Sequence, residues 1–240
     1  MRQSAVMKAM LRGTIALAPM LVLWQVTSLL VEPFFWPNIA TVVAELAKLL
    51  DPAALMPHTL TSLSEFLIGY ITAAIVGVAL GVALARSTVV RLTLGTLVSC
   101  LAVTPLAALA PLMGVWFGGA GIAGEATLAF IAAVFPIACA ITEKAKEPLS
   151  NSQPRSAAPA RSLDVGRAIV GGLRIGVPPA LVAVVICEMV ASGHGLGYLM
   201  LNAAVRLNVA MVVSTFIAIA VPGVVLTRIL AAIEGRLWSW

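Results

Sequence analysis

Residues 182–200 read VAVVICEMVASGHGLGYLM, in which Glu188 ends an apolar run and Gly193, Gly195 and Gly197 follow at alternate positions. A carboxylate so placed has two uses. It can accept hydrogen bonds from the accessible backbone amides of the glycine-rich turn, or it can face a path or a gate. Direct binding of an anion is disfavoured, because like charges repel. The remaining reactive side chains are sparse. Cys100, Cys139 and Cys187 lie inside apolar runs at spacings that suit neither a zinc site nor a disulfide framework, so buried thiols are expected. His58 and His194 fall on separate segments, and the sequence holds no His-Glu-x-x-His, Cys-x-x-Cys or Gly-x-x-x-x-Gly-Lys pattern. No catalytic residue and no metal ligand is assigned.

The elements that position Glu188 follow from composition. The chain has 240 residues, 61% of them hydrophobic and 10% charged, whereas a soluble domain carries roughly 25% charged residues. Mean hydropathy is +1.05. A chain with so little charge cannot cover a water-facing surface, so lipid is its expected solvent. A helix needs about 20 mostly apolar residues to cross a bilayer core of about 30 Å. Six stretches qualify, at roughly 13–31, 64–85, 94–116, 126–142, 174–192 and 208–229. The alternation that a transmembrane barrel requires is not visible. The expectation is an all-α polytopic membrane protein of about six spans, forming a single domain over 1–240. The first apolar run reads as a retained helix rather than a cleaved leader, since Pro19 sits where cleavage would fall.

Charge sets the orientation. With six spans and the N-terminus inside, thirteen Lys and Arg residues fall on inside segments, and only Lys48 and Arg206 fall outside. The positive-inside rule then places both termini in the cytoplasm. The net charge of +5 is thus a topology signal and gives no reason to invoke nucleic acid. Residues 143–173 become the longest cytoplasmic loop. Outside, residues 38–50 carry Ile39, Val42, Val43, Leu46, Leu49 and Leu50 on one helical face, too short to span. This segment is expected to lie along the outer membrane surface.

Within the second span, Gly69, Ala73, Gly77, Gly81 and Ala85 put a small residue at every fourth position. Such a stripe admits close approach of another helix, either from the same chain or from a second copy. Pro105 and Pro111 interrupt the third span, and each removes a backbone donor and is expected to bend the helix.

The patch GLRIGVPPALVAVVICEMVASGHGLGYLM (172–200), supported by HTLTSLSEFLIGY (58–70) and TPLAALAPLMGVWFG (104–118), resembles the permeases of bacterial ATP-binding-cassette importers. The branch is the one serving sulfonates, taurine, nitrate and thiamine-precursor pyrimidines, and the similarity runs from about Leu21 to Arg228. The resemblance implies a type I importer permease fold in the bacterial inner membrane. It implies a second permease copy, a cytoplasmic ATPase dimer and a periplasmic or lipid-anchored binding protein. ATP would be bound by the ATPase partners, leaving no cofactor in this chain. Thr104, Pro105, Glu188, Gly195 and Gly197 are then candidates for the translocation path or gate.

The family's ATPase-coupling motif, Glu-Ala-Ala…Gly, corresponds here to APARSLD (158–164), which gives Ala158, Ala160, Arg161, Ser162, Leu163 and Asp164 as coupling candidates. The match is imperfect. Ala158 replaces Glu, Pro159 replaces Ala, Asp164 replaces Gly, and the segment before Gly172 is about a dozen residues shorter than in the family. Glu65 also stands where the family usually has Arg. The rival reading is a non-transporting polytopic protein, either a degenerate permease kept for assembly or an intramembrane enzyme.

Overall fold

The computed structural model describes the backbone of residues 18–32, 34–52, 55–118, 121–145 and 158–237, with side chains for all of these except 158–164 and 236–237. The described chain is helical, without strands. Its helices are α1 (Ala18–Leu30), α2 (Ile39–Lys48), α3 (Met56–Arg86), α4 (Thr88–Val103), α5 (Ala110–Trp116), α6 (Ile122–Lys144), α7 (Ala158–Ala191), α8 (Leu196–Val205) and α9 (Val209–Leu237). A 3-10 turn, Leu106–Leu109, joins α4 to α5.

The small-residue stripe fixes how the centre is assembled. A Cβ added to Gly69 would lie 2.5 Å from the Ala126 carbonyl, one at Gly77 2.9 Å from the Val134 carbonyl, and one at Gly81 2.9 Å from the Ala138 carbonyl. Ala73 is wholly buried between them, while Ala85 is half-buried. The stripe therefore seats α3 on α6 of the same chain. Ascending numbers meet ascending numbers, so the two helices run parallel. Gly172 and Gly176 pack against Ile141 and Ile137 in the reverse order, which makes α7 antiparallel to α6. Phe66, Tyr70, Ala133, Ile137, Val177 and Val184 fill the space between the three helices. The Tyr70 hydroxyl donates to the Leu173 carbonyl at 2.9 Å, giving its one polar atom a partner in the apolar core.

Parallel α3 and α6 require the chain between them to return from one end of the bundle to the other. That return is the α4–α5 segment, and it is bent by 77° at its break. Four described helices are long and apolar enough to cross a membrane unaided, and counting the bent pair as one span gives five. The expected first span begins before the described residues; α1 covers 18–30 of it.

Three expectations change in detail. The bend comes from one proline rather than two: Pro105 follows the extended Thr104 and opens the 3-10 turn, whereas Pro111 lies in the first turn of α5, where no N–H is needed. The long loop expected over 143–173 is shorter, because α7 is already helical from Ala158, and Pro159 is tolerated there for the same reason. The second span starts eight residues before the expected 64, at Met56, so His58 sits on a helix and not in a loop.

The short α2 is capped by Asn38, whose side chain accepts from the Thr41 amide at 2.8 Å. Val42 within it and Leu49 just past its end are buried, and Val43 and Leu50 exposed, so only part of the expected apolar face is covered. The Ser214 hydroxyl of α9 donates to the Val42 carbonyl at 2.8 Å, which ties α2 to α9. Outward-facing Ile71, Ile75, Leu92, Val182, Phe216 and Val224 are exposed, as an exterior solvated by lipid requires.

The α3–α6 contact supplies a test. Gly77→Leu puts a branched side chain against the Val134 backbone, and overpacking of this kind costs about 1–3 kcal/mol. Thermal unfolding in detergent should show that loss relative to Ile75→Leu, which alters an exposed position. Equal stability of the two variants would mean that α3 and α6 do not pack through the stripe.

Candidate functional site

The carboxylate singled out in the sequence sits at a junction of four helices. The first turn of α8 has no capping side chain of its own, yet its amides are buried and need acceptors. Three come from elsewhere in the chain. The Gly195 amide donates to His58 Nδ1 at 3.0 Å, the Leu196 amide to Ser62 Oγ at 2.7 Å, and the Gly197 amide to Glu188 Oε2 at 2.6 Å. Ser62 in turn donates its hydroxyl to Glu188 Oε1.

Each partner is placed by ordinary helix geometry. His58 and Ser62 are four residues apart on α3 and share a face, which Glu65 continues. Glu188 lies in the last turn of α7, and the positive end of α8 favours its negative charge. Gly195 adopts φ +94°, and a Cβ there would collide with the Glu188 carboxylate. A Cβ on Gly197 would strike the Val185 carbonyl, whereas one on Gly193 would meet nothing within 4 Å. Only the second and third of the three alternating glycines are demanded by packing. Glu188 itself is 0% exposed, so within this chain it serves the glycine-rich turn.

Two further carboxyl groups share the junction. Glu65 is 0% and Glu125 1% exposed; neither Glu65 oxygen has a hydrogen-bond partner, nor has Glu125 Oε2. An ionised carboxylate costs about 2.5–3.5 kcal/mol at the centre of a membrane helix on the gentlest scale and less toward its end, where these groups lie. The nearest cationic candidate is His194, whose Nδ1 is 3.8 Å from Glu65 Oε1. The same Nδ1 lies 3.1 Å from Ser192 Oγ. A serine–histidine–acid relay needs the acid on one ring nitrogen and the serine on the other. Here both fall on one, so the group is not a hydrolytic triad. Among the described residues no group of three or more His, Cys, Asp or Glu is arranged to hold a metal.

The remaining candidates lie apart from this junction. Thr104 and Pro105 form the break in the third span, where the Thr104 hydroxyl donates to the Cys100 carbonyl at 2.8 Å. Val103 beside them is 83% exposed, and Thr104 and Pro105 are exposed too. Ala158, Ala160, Arg161, Ser162, Leu163 and Asp164 fall in the first turns of α7, and their side chains lie outside those described. At the middle of α7, Arg174 pairs with Glu234 at 2.9 Å and joins α7 to α9. Sequence reasoning missed His58, Ser62 and Glu125 as neighbours of Glu188. The Ser62–Glu188 contact spans 126 positions, and no local pattern announces it.

No family model matches the chain. Curated relatives do. It is 29% identical to the taurine transport system permease protein TauC of Escherichia coli over 248 aligned residues, covering 95% of this chain and 88% of that protein. An ABC transporter permease protein of Methanocaldococcus jannaschii is 28% identical, covering 91% of this chain and 88% of its own length. One of Haemophilus influenzae is 26% identical, with 83% and 85% covered.

The glycine contrast is measurable. Gly197→Ala forces a methyl group against the Val185 carbonyl and should cost about 1–3 kcal/mol. Gly193→Ala, facing open space, should leave thermal stability within about 0.5 kcal/mol of the parent, as surface substitutions usually do. Indistinguishable melting of the two variants would mean that α8 is not seated on α7 through residue 197.

Proposed function

From its relationship to ABC transporter permeases over nearly its whole length, and from a multi-pass helical architecture, we propose that this chain is the permease subunit of an ATP-driven importer. Its solute is a small molecule of the sulfonate, taurine, nitrate or pyrimidine class, handed over by an external binding protein. Two copies form the path, and a cytoplasmic ATPase dimer drives alternating access.

The observation that carries this reading is the exposed break in the third span. A 77° bend at Thr104–Pro105 interrupts the helical hydrogen bonding of a membrane-crossing segment, and the residues at the bend are exposed in the single chain. The Thr104 and Pro105 carbonyls still accept from the Leu106 and Ala108 amides at 2.8 and 2.9 Å, but irregular backbone at membrane depth is found against protein or along a water-filled cavity rather than against lipid. A second permease copy and a solute path between the two supply both surroundings.

The charge bias puts the α8 junction on the external side and the start of α7 on the cytoplasmic side. Coupling to the ATPase then falls to residues 158–164. With Ala158 in place of Glu, Arg161 is the polar anchor and Leu163 the apolar plug.

Two experiments follow. In a background lacking Cys100, Cys139 and Cys187, a cysteine at Gly193 should react with an impermeant thiol reagent added to intact cells, while cysteines at Ser4 and Ser239 should not. Labelling of both ends from outside would reverse the orientation. For the coupling role, purification from native membranes should bring an ATPase with the parent. It should bring at least as much with Ala158→Glu, and none with Arg161→Ala combined with Leu163→Ala. Full ATPase recovery with the double variant would place coupling elsewhere, and no ATPase with the parent would defeat the importer reading.

A further inference from the structure

The junction beneath α8 holds more acceptors than donors. Glu188 takes the two available donors, the Ser62 hydroxyl and the Gly197 amide. Its neighbour across the α3–α7 contact is the Glu65 carboxyl group, with Glu125 of α6 within electrostatic reach of both. Glu65 is 0% exposed, and neither of its oxygens receives a hydrogen bond.

The titratable groups facing Glu65 can be enumerated by element. From α7 come Glu188 and the Cys187 thiol, from α6 Glu125, from the turn His194, and from α3 itself His58, on which Tyr198 of α8 stacks. Among the described residues, no Lys or Arg forms an ion pair with any of the three carboxyls. Among the described residues no metal-holding group lies there either, and His194, with Nδ1 3.8 Å from Glu65, makes no hydrogen bond to it.

Two adjoining carboxyls in an enclosed site do not both ionise; the one that receives donors keeps the charge, and the other keeps a hydrogen. Glu188 has the donors and Glu65 has none. We propose that Glu65 binds a proton, which it donates to the Glu188 carboxylate, and that this bound proton is a structural ligand joining α3, α7 and the start of α8. The step is simple: the Glu65 carboxylate takes up one proton to become a carboxylic acid, and releases it on ionisation. His194, with 36% of its side chain exposed and Nδ1 beside Glu65, gives the proton a route to water. Ionised Glu65 would repel the carboxylate that holds the Gly197 amide, so alkali should loosen α8.

The inference is independent of transport and is read from the purified full-length protein in lipid. Infrared spectra at neutral and alkaline pH should show a protonated-carboxyl C=O band that alkali removes. That alkali-sensitive band should be missing in Glu65→Gln and present in Glu45→Gln, whose residue pairs with Lys48 away from the junction. Melting of the parent should weaken as pH rises from the ordinary carboxylate range, where the unfolded chain loses this proton, up to that transition, and level off above it. Glu65→Gln, neutral at every pH and itself a donor, should lose that dependence. Absence of a protonated-carboxyl band from the parent at neutral pH overturns the proposal even if Glu65→Gln does not fold. So does an unchanged band in a folded Glu65→Gln.

Discussion

Three consecutive amides, of Gly195, Leu196 and Gly197, have to find acceptors where water is scarce, and that requirement organises one end of the molecule. Each buried amide left unpaired would cost about 1–3 kcal/mol. The acceptors come from His58 and Ser62 on α3 and from Glu188 on α7. Their alignment depends in turn on how α3 and α7 sit against α6. The Gly69–Gly81 stripe sets the first of those contacts, and Gly172 and Gly176 set the second. Small residues deep in the bundle thus determine whether a helix start near its surface is satisfied. The arrangement is local electrostatics resting on close packing. It needs no long-range device.

At the same junction, acceptors outnumber donors, and this separates two kinds of buried acid. Glu188 is held by donors on both oxygens and has a plain structural use. Glu65 lacks them and is tolerated only if it supplies a hydrogen of its own. The break at Thr104–Pro105 poses a different problem, an irregular and exposed stretch in the segment that returns the chain between α3 and α6. A permease that must open a path beside a second copy has a use for exposed irregular backbone.

Much of this was legible in the sequence. Hydropathy alone gave an all-helical membrane chain, and the small residues at every fourth position marked the face of α3 that meets α6. The glycine-rich turn after Glu188 pointed to exposed amides, the partners this carboxylate has. What escaped depended on contacts that no local pattern encodes. Glu125 carried no motif, and Glu65 looked like a charge reversal near the start of a span. Their proximity exists only because α3 and α6 run parallel and bring residues 65 and 125 to one level. Pro105 and Pro111 looked equivalent in sequence, yet one breaks a helix and the other begins one, because only Pro105 follows a residue in extended conformation.

The most direct test of the account concerns the surroundings of the break in the third span. A single cysteine at Thr104, in a chain without the three native thiols, should be assayed in membranes with a water-soluble and a lipid-soluble thiol reagent. If the break faces a path between two permease copies, the water-soluble reagent should label residue 104 and the transported solute should slow that labelling. Reaction with the lipid-soluble reagent alone would mean that the break faces lipid, which would contradict the permease mechanism built on it.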